Sequence, residues 1–151
     1  MKAHSMSLAI TEHESACAMF EGQKLISWEV HPFLSDADSA MKNITAQIVR
    51  SSAKWTISSA VMEQFSNDRR PPDLYAVARQ VLAGLAVPIF EIRTDDLFAS
   101  FGIPPPKTRN ELRSMVSSIF PQVPGGRLMQ PCLDAAALGL HFETNRLLTI
   151  N

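Results

Sequence analysis

The chain has 151 residues, about the length of one domain, so a single unit spanning 1–151 is expected. Hydrophobic residues make up 46% and charged residues 19%, which excludes a disordered, collagen-like or charged-tail protein. Fourteen Lys and Arg against fifteen Asp and Glu give a formal charge of −1, so no global positive field draws the protein onto nucleic acid, and any such contact must rest on a local patch.

Cys17 and Cys132 are too few for a disulfide framework and lack metal-ligand spacing, which fits a reducing compartment and a cytoplasmic location. Met1 to Ser5 has no apolar stretch of the secretory kind, and no run approaches the ~18 apolar residues of a membrane span, so a soluble protein is expected.

In chain order, Ser7 to Ile10 and Ala16 to Phe20 are short apolar runs separated by Thr11 to Ser15, which predicts strand, turn, strand. A compact polar turn, Glu21 to Lys24, leads into Leu25 to Val30, a third extended segment with β-branched and aromatic residues. Three such strands make an antiparallel meander. Ser35 or Asp36 then caps a helix with apolar positions Ala37, Ala40, Met41, Ile44, Ile48 and Val49, ending near Ser52. Trp55 to Met62 fits a helix on composition alone, but its shortness and apolar character favour a buried strand.

Ser66 to Pro72 is polar and broken by Arg69-Arg70-Pro71-Pro72. Asp73 caps a helix from Leu74 to Leu85, and Val87 to Ile92 forms a strand that tolerates Pro88 at its start. Thr94 caps a short helix through Phe101, Gly102 stops it, and Pro104-Pro105-Pro106 makes a stiff connector. Thr108 caps a helix to about Phe120, Pro121 to Gly126 is a loop, and Pro131 suits the first turn of the last main helix, Cys132 to Leu140. No element is assigned to the tail from Arg146 to Ile150. A meander joined to strand-helix-strand crossovers gives an α/β domain with a mixed sheet and helices on both faces.

Several chemistries fail on spacing. His4, His13, His31 and His141 are scattered, no G-x-S-x-G elbow occurs, and Gly125-Gly126 matches neither phosphate-cradling loop. Carboxylates are better placed. Glu63 follows the strand Ile57 to Met62, and strand ends are where α/β sheets hold their active groups. Asp134 is a charge among apolar neighbours and, if buried, needs a partner or a cation. The simpler alternatives are a solvated strand end for Glu63 and a helix cap for Asp134. Basic residues gather at Arg69-Arg70 and at Lys107, Arg109 and Arg113, the last two sharing one helix face. They would suit phosphate binding, or form a solvated face interleaved with Glu111.

Taken in order, these pieces resemble the RuvC family of Holliday-junction resolvases, which has an RNase H-like fold, over nearly the whole chain. Leu8-Ala9-Ile10-Thr11 falls where the family's first strand ends in aspartate, and Ala16 to Val30 matches the next two strands. Ala60 to Phe65 is similar to the strand whose glutamate-glutamine pair carries the second carboxylate. Leu133-Asp134-Ala135-Ala136-Ala137-Leu138 resembles the final helix, and Lys107 falls at a lysine of the family. The resemblance implies divalent-metal-dependent cleavage of branched or duplex DNA, with Mg²⁺ or Mn²⁺ held by Glu63 and Asp134 and with Lys107 at the scissile phosphate. It also implies a homodimer, for which Met62, Phe65, Leu74 and Val77 would serve as interface or as core.

Two positions depart from the pattern. Thr11 stands in place of the first aspartate and Pro131 in place of an earlier carboxylate on the last helix. Glu12 or Glu14 would be the substitute ligand, although strand alternation sends Glu12 to the face opposite Thr11 unless a bulge or turn intervenes. The sequence therefore supports two readings. One is an active resolvase. The other is a catalytically deficient RuvC-like domain that binds DNA or a protein partner within a larger machine.

Overall fold

The computed structural model describes residues 2–33, 36–64 and 72–150. Arg69, Arg70 and Phe65 lie outside the described residues. Among the described residues there are five strands: β1 (His4–Ile10), β2 (Glu14–Glu21), β3 (Lys24–Pro32), β4 (Ile57–Gln64) and β5 (Ile89–Arg93). They form one sheet in the order β3-β2-β1-β4-β5. β1 to β3 make the antiparallel meander, while β4 pairs parallel to both β1 and β5. The mixed α/β architecture expected from the sequence is thus observed.

α1 (Ala37–Lys54) and α2 (Pro72–Gly84) pack together on one face of the sheet. Asp36 caps α1, its carboxylate accepting the Ser39 amide at 2.6 Å, while Ser35 lies outside the described residues. α2 starts two residues earlier than expected, with Pro72 as its first residue and Asp73 inside the first turn. Proline suits that place, because its missing N–H would have no helical partner there. Met62 and Leu74 are buried in this layer, so each is core.

α3 (Thr94–Ala99), α4 (Arg109–Ile119) and α5 (Gln130–Ile150) are associated with the other face. α5 is much longer than Cys132 to Leu140: it takes in the tail, because nothing between Leu140 and Ile150 breaks a helix. It lies directly on β1 and β2. Small residues allow that approach. A Cβ at Gly139 would overlap the Phe20 ring, and the Ser7 hydroxyl of β1 donates to the Ala135 carbonyl at 2.5 Å. Alternation along β4 puts Val61 into this layer and Met62 into the opposite one, so Glu63 faces α4 and α5.

Candidate functional site

Glu63 is the penultimate residue of β4 and is 4% exposed, so it is not a solvated strand end. α4 supplies its partner. Arg109 reaches the carboxylate with both terminal nitrogens, Nη1 to Oε1 at 3.0 Å and Nη2 to Oε2 at 2.7 Å. The Thr94 hydroxyl donates to Oε2 at 2.6 Å. Thr94 therefore does not cap α3, whose N-cap is Arg93 without a side-chain bond. The pairing of Gln64 with Arg93 explains why: it brings the first residue after β5 alongside the end of β4.

One helical turn further along α4, the arrangement repeats. Arg113 donates Nε to Asp134 Oδ1 at 2.9 Å and Nη2 to Oδ2 at 2.8 Å. Asp134 is 2% exposed and lies beyond the first turn of α5, so it does not act as a helix cap. These fork-to-carboxylate pairs are the geometry for which guanidinium is better suited than ammonium.

Local sequence prepares α4 for this. Thr108 accepts the Glu111 amide at 3.1 Å, and Glu111 Oε2 accepts the Lys107 amide at 2.8 Å, which fixes the start of the helix. Leu112 and Val116 are buried, and their spacing carries Arg109 and Arg113 inward with them. Burial works to lower the Arg109 pKa, but its hydrogen bonds to Glu63 and the negative charges of Glu63 and Asp134 outweigh it and hold the guanidinium above its ordinary value. Arg109 also stands over the Phe98 ring, 5.2 Å from its centroid, close enough for a cation–π contact.

The corner after β1 closes on itself. The Thr11 hydroxyl donates to Glu14 Oε1 at 2.7 Å and accepts the amides of His13 and Glu14, each at 3.1 Å. Glu12 lies exposed on that turn, and Lys107 is exposed before α4. The structure thus brings together Glu63, Asp134, Arg109 and Arg113 among the candidate residues, and adds Thr94.

A pair of divalent ions does not fit this donor set. Glu63 and Asp134 each already have both oxygens engaged by a guanidinium, Thr11 is neutral, and Pro131 offers no ligand. Among the described residues no group of three His, Cys, Asp or Glu side chains is placed to hold a metal. With two carboxylates against two guanidinium groups, the four side chains carry no net charge.

No protein-family model and no curated protein matches the sequence. Solved structures do. Thermus thermophilus RuvC superposes with a TM-score of 0.71 at 16% identity, covering 99% of this chain and 98% of that one. The chain has the fold of that protein. T. thermophilus RuvC in complex with a Holliday-junction substrate gives a TM-score of 0.70 at 13% identity, over 96% of this chain and 94% of the other. The fowlpox virus resolvase in complex with Holliday-junction DNA gives 0.62 at 15% identity, over 95% and 99%. Within that RNase H-like frame, this chain places arginine against both Glu63 and Asp134. No helix among the described residues is long and apolar enough to cross a membrane.

Proposed function

We propose that this protein is a nuclease-deficient resolvase-fold domain that binds branched DNA without cutting it. The observation that carries the reading is the pair of buried guanidinium–carboxylate forks, Arg109 on Glu63 and Arg113 on Asp134. Two-metal hydrolysis needs hard oxygen donors free to ligate, with negative charge to offset the ions. Here a divalent ion at Glu63 would have to displace hydrogen bonds from Arg109 and Thr94 and sit beside a fixed positive charge.

The same substitution favours DNA in another way. A cluster of bare carboxylates repels a phosphate until metals neutralise it, whereas this site is neutral without them. Lys107 at the start of α4 is exposed and adds positive charge at its edge. The similarity to resolvases whose structures are described with Holliday-junction DNA supports a four-way junction as the first substrate to try.

The test is a labelled four-way junction beside linear duplex, in Mg²⁺, Mn²⁺ and EDTA, with Glu63→Gln as control. The expected result is retardation of the junction to the same extent in all three conditions with no nicked product, and a Tm that Mn²⁺ leaves unchanged. Paired, metal-dependent nicks lost in Glu63→Gln would establish an active resolvase instead. Absence of DNA binding would overturn the proposal and leave a protein-interaction role for the scaffold.

A further inference from the structure

Beside the Arg113–Asp134 pair, the outer side of α4 and the start of α5 diverge around the loop that joins them and leave an open groove of about 510 Å³. Asn110 and Ser117 of α4 line one wall, Gly125 and Gly126 line the loop side, Arg127 brings positive charge to it, and Arg113, its charge offset by Asp134, borders it as a further donor. Asp134 holds Arg113 through Nε and Nη2, which leaves Nη1, whose described contact is Gln130 Oε1 at the long distance of 3.4 Å. Arg127 is exposed and has no partner among the described residues.

The two glycines are not required by packing, since a Cβ on either would meet open space. Gly126 instead adopts φ +118° and ψ 165°, a backbone region essentially confined to glycine, which keeps the loop bare where it borders the groove. The groove thus combines two guanidinium groups, an amide, a hydroxyl and uncovered backbone.

We propose that this groove binds a phosphate group of the DNA backbone. Guanidinium forks match phosphate oxygens, and the hydroxyl and amide donors on the wall suit the remaining oxygens of a tetrahedral anion. Because Arg113 borders both places, the groove extends the path of a strand that passes the Glu63–Asp134 centre. The inference rests on the DNA-binding reading above and names a contact outside the four central side chains.

Two measurements test it with the full chain. The first compares wild type with Arg127→Ala and Arg127→Glu for binding of a fluorescein-labelled four-way junction across a salt series. Loss of one phosphate contact is expected to weaken binding in Arg127→Ala by about threefold to tenfold and to lower the salt slope by about one, with a larger loss in Arg127→Glu. The second titrates inorganic phosphate into ¹⁵N-labelled protein and follows the Gly125 and Gly126 amides, which are expected to shift in wild type and not in Arg127→Glu.

If wild type binds the junction and both variants bind it equally well, the groove is not a contact and the DNA reading survives without it. If wild type fails to bind the junction while phosphate still moves the two glycine amides, the DNA reading falls and the groove stands as a phosphate site for another ligand. Neither junction binding nor amide shifts would overturn both.

Discussion

On the α1–α2 face, the sheet meets long side chains. Met6, Leu8, Met19 and Met62 from the strands pack with Ile44, Ile48 and Leu82 from the helices, all fully or almost fully buried. On the α5 face, Ala9, Ala16 and Ala18 of the sheet share a layer with Ala135, Ala136 and Ala137, and Gly139 lies against Phe20. Bulk fills one side, and close approach of helix and sheet makes the other. The difference bears on the site. Long side chains tolerate small shifts between layers, whereas a helix seated almost on the strands fixes where Asp134 lies relative to Glu63, and so lets one helix place two arginines on both.

The largest effect is expected where that face depends on charge. In Arg113→Ala, buried Asp134 loses the guanidinium that engages both its oxygens, at a cost of up to about 3–5 kcal/mol. For a chain of this length that lowers Tm by roughly 6–20 °C, measurable by calorimetry. Joint replacement, Arg113→Met with Asp134→Leu, should recover most of the loss, since removing both charges removes the desolvation cost as well. The two cysteines report where the damage lies, because Cys17 belongs to the α1–α2 layer and Cys132 to the α5 layer. Burial pushes both thiols up to about 12, with Glu29 adding to the effect at Cys17 and Asp134 at Cys132, so neither should react quickly in wild type. Arg113→Ala is expected to speed alkylation of Cys132 more than that of Cys17. Equal acceleration would mean that the two faces open together and that the contrast between them has no energetic content.

The same contrast explains what could be read in the sequence. Strand alternation and helix spacing recovered all five strands and the mixed sheet, because those signals are local. The ends of α2 and α5 were displaced, since Pro72 starts a helix as readily as it breaks a chain and the polar residues after Leu140 lie on a helix that is long enough to leave the core. For the site, Glu63 and Asp134 were visible as candidate carboxylates, and Arg109 and Arg113 as a pair on one helix face. Their joining was not visible, because it depends on how α4 crosses the end of β4, which is a tertiary fact. A clue was present all the same: a lone Asp134 among apolar residues needs a cation, and two arginines four residues apart offered one. Thr94 had a weaker signal, its place directly after a strand that runs parallel to β4.

A smaller effect tests the close approach itself. Gly139→Ala puts a methyl group into the Phe20 ring and within 3.0 Å of the Ser7 hydroxyl. Overpacking of this kind costs about 1–3 kcal/mol, and the better helix propensity of alanine returns about 1 of it. Because the methyl would lie only 2.3 Å from the nearest ring atom, the upper end of that cost applies, so a net loss of about 2 kcal/mol in urea denaturation is expected, and Gly139→Ala with Phe20→Leu should relieve part of it. If Gly139→Ala is neutral or stabilising, α5 has room to move outward and does not fix the distance between the carboxylates.

The smallest effect concerns acid. His141 projects from α5 into a cleft of about 260 Å³ between Phe101, Ile119 and Leu140, where desolvation lowers its pKa despite the opposing charge of Asp96. The Asn145 amide lies 2.9 Å from Nε2, which suits a neutral ring that accepts there, and buried Nδ1 has no partner among the described residues. A histidine held neutral in the fold takes up its proton later than the same residue in the unfolded chain. Between the depressed folded value and the ordinary value of 6.5, the unfolded state therefore binds more protons, and stability falls as the pH drops through that interval. Above it the contribution is fully present. The expected outcome is that urea stability of wild type declines from pH 7.5 to 5.5 slightly more than that of His141→Leu. Identical slopes would mean that the ring is solvated, and that the α5 face is less tightly closed at this end than it is around Gly139.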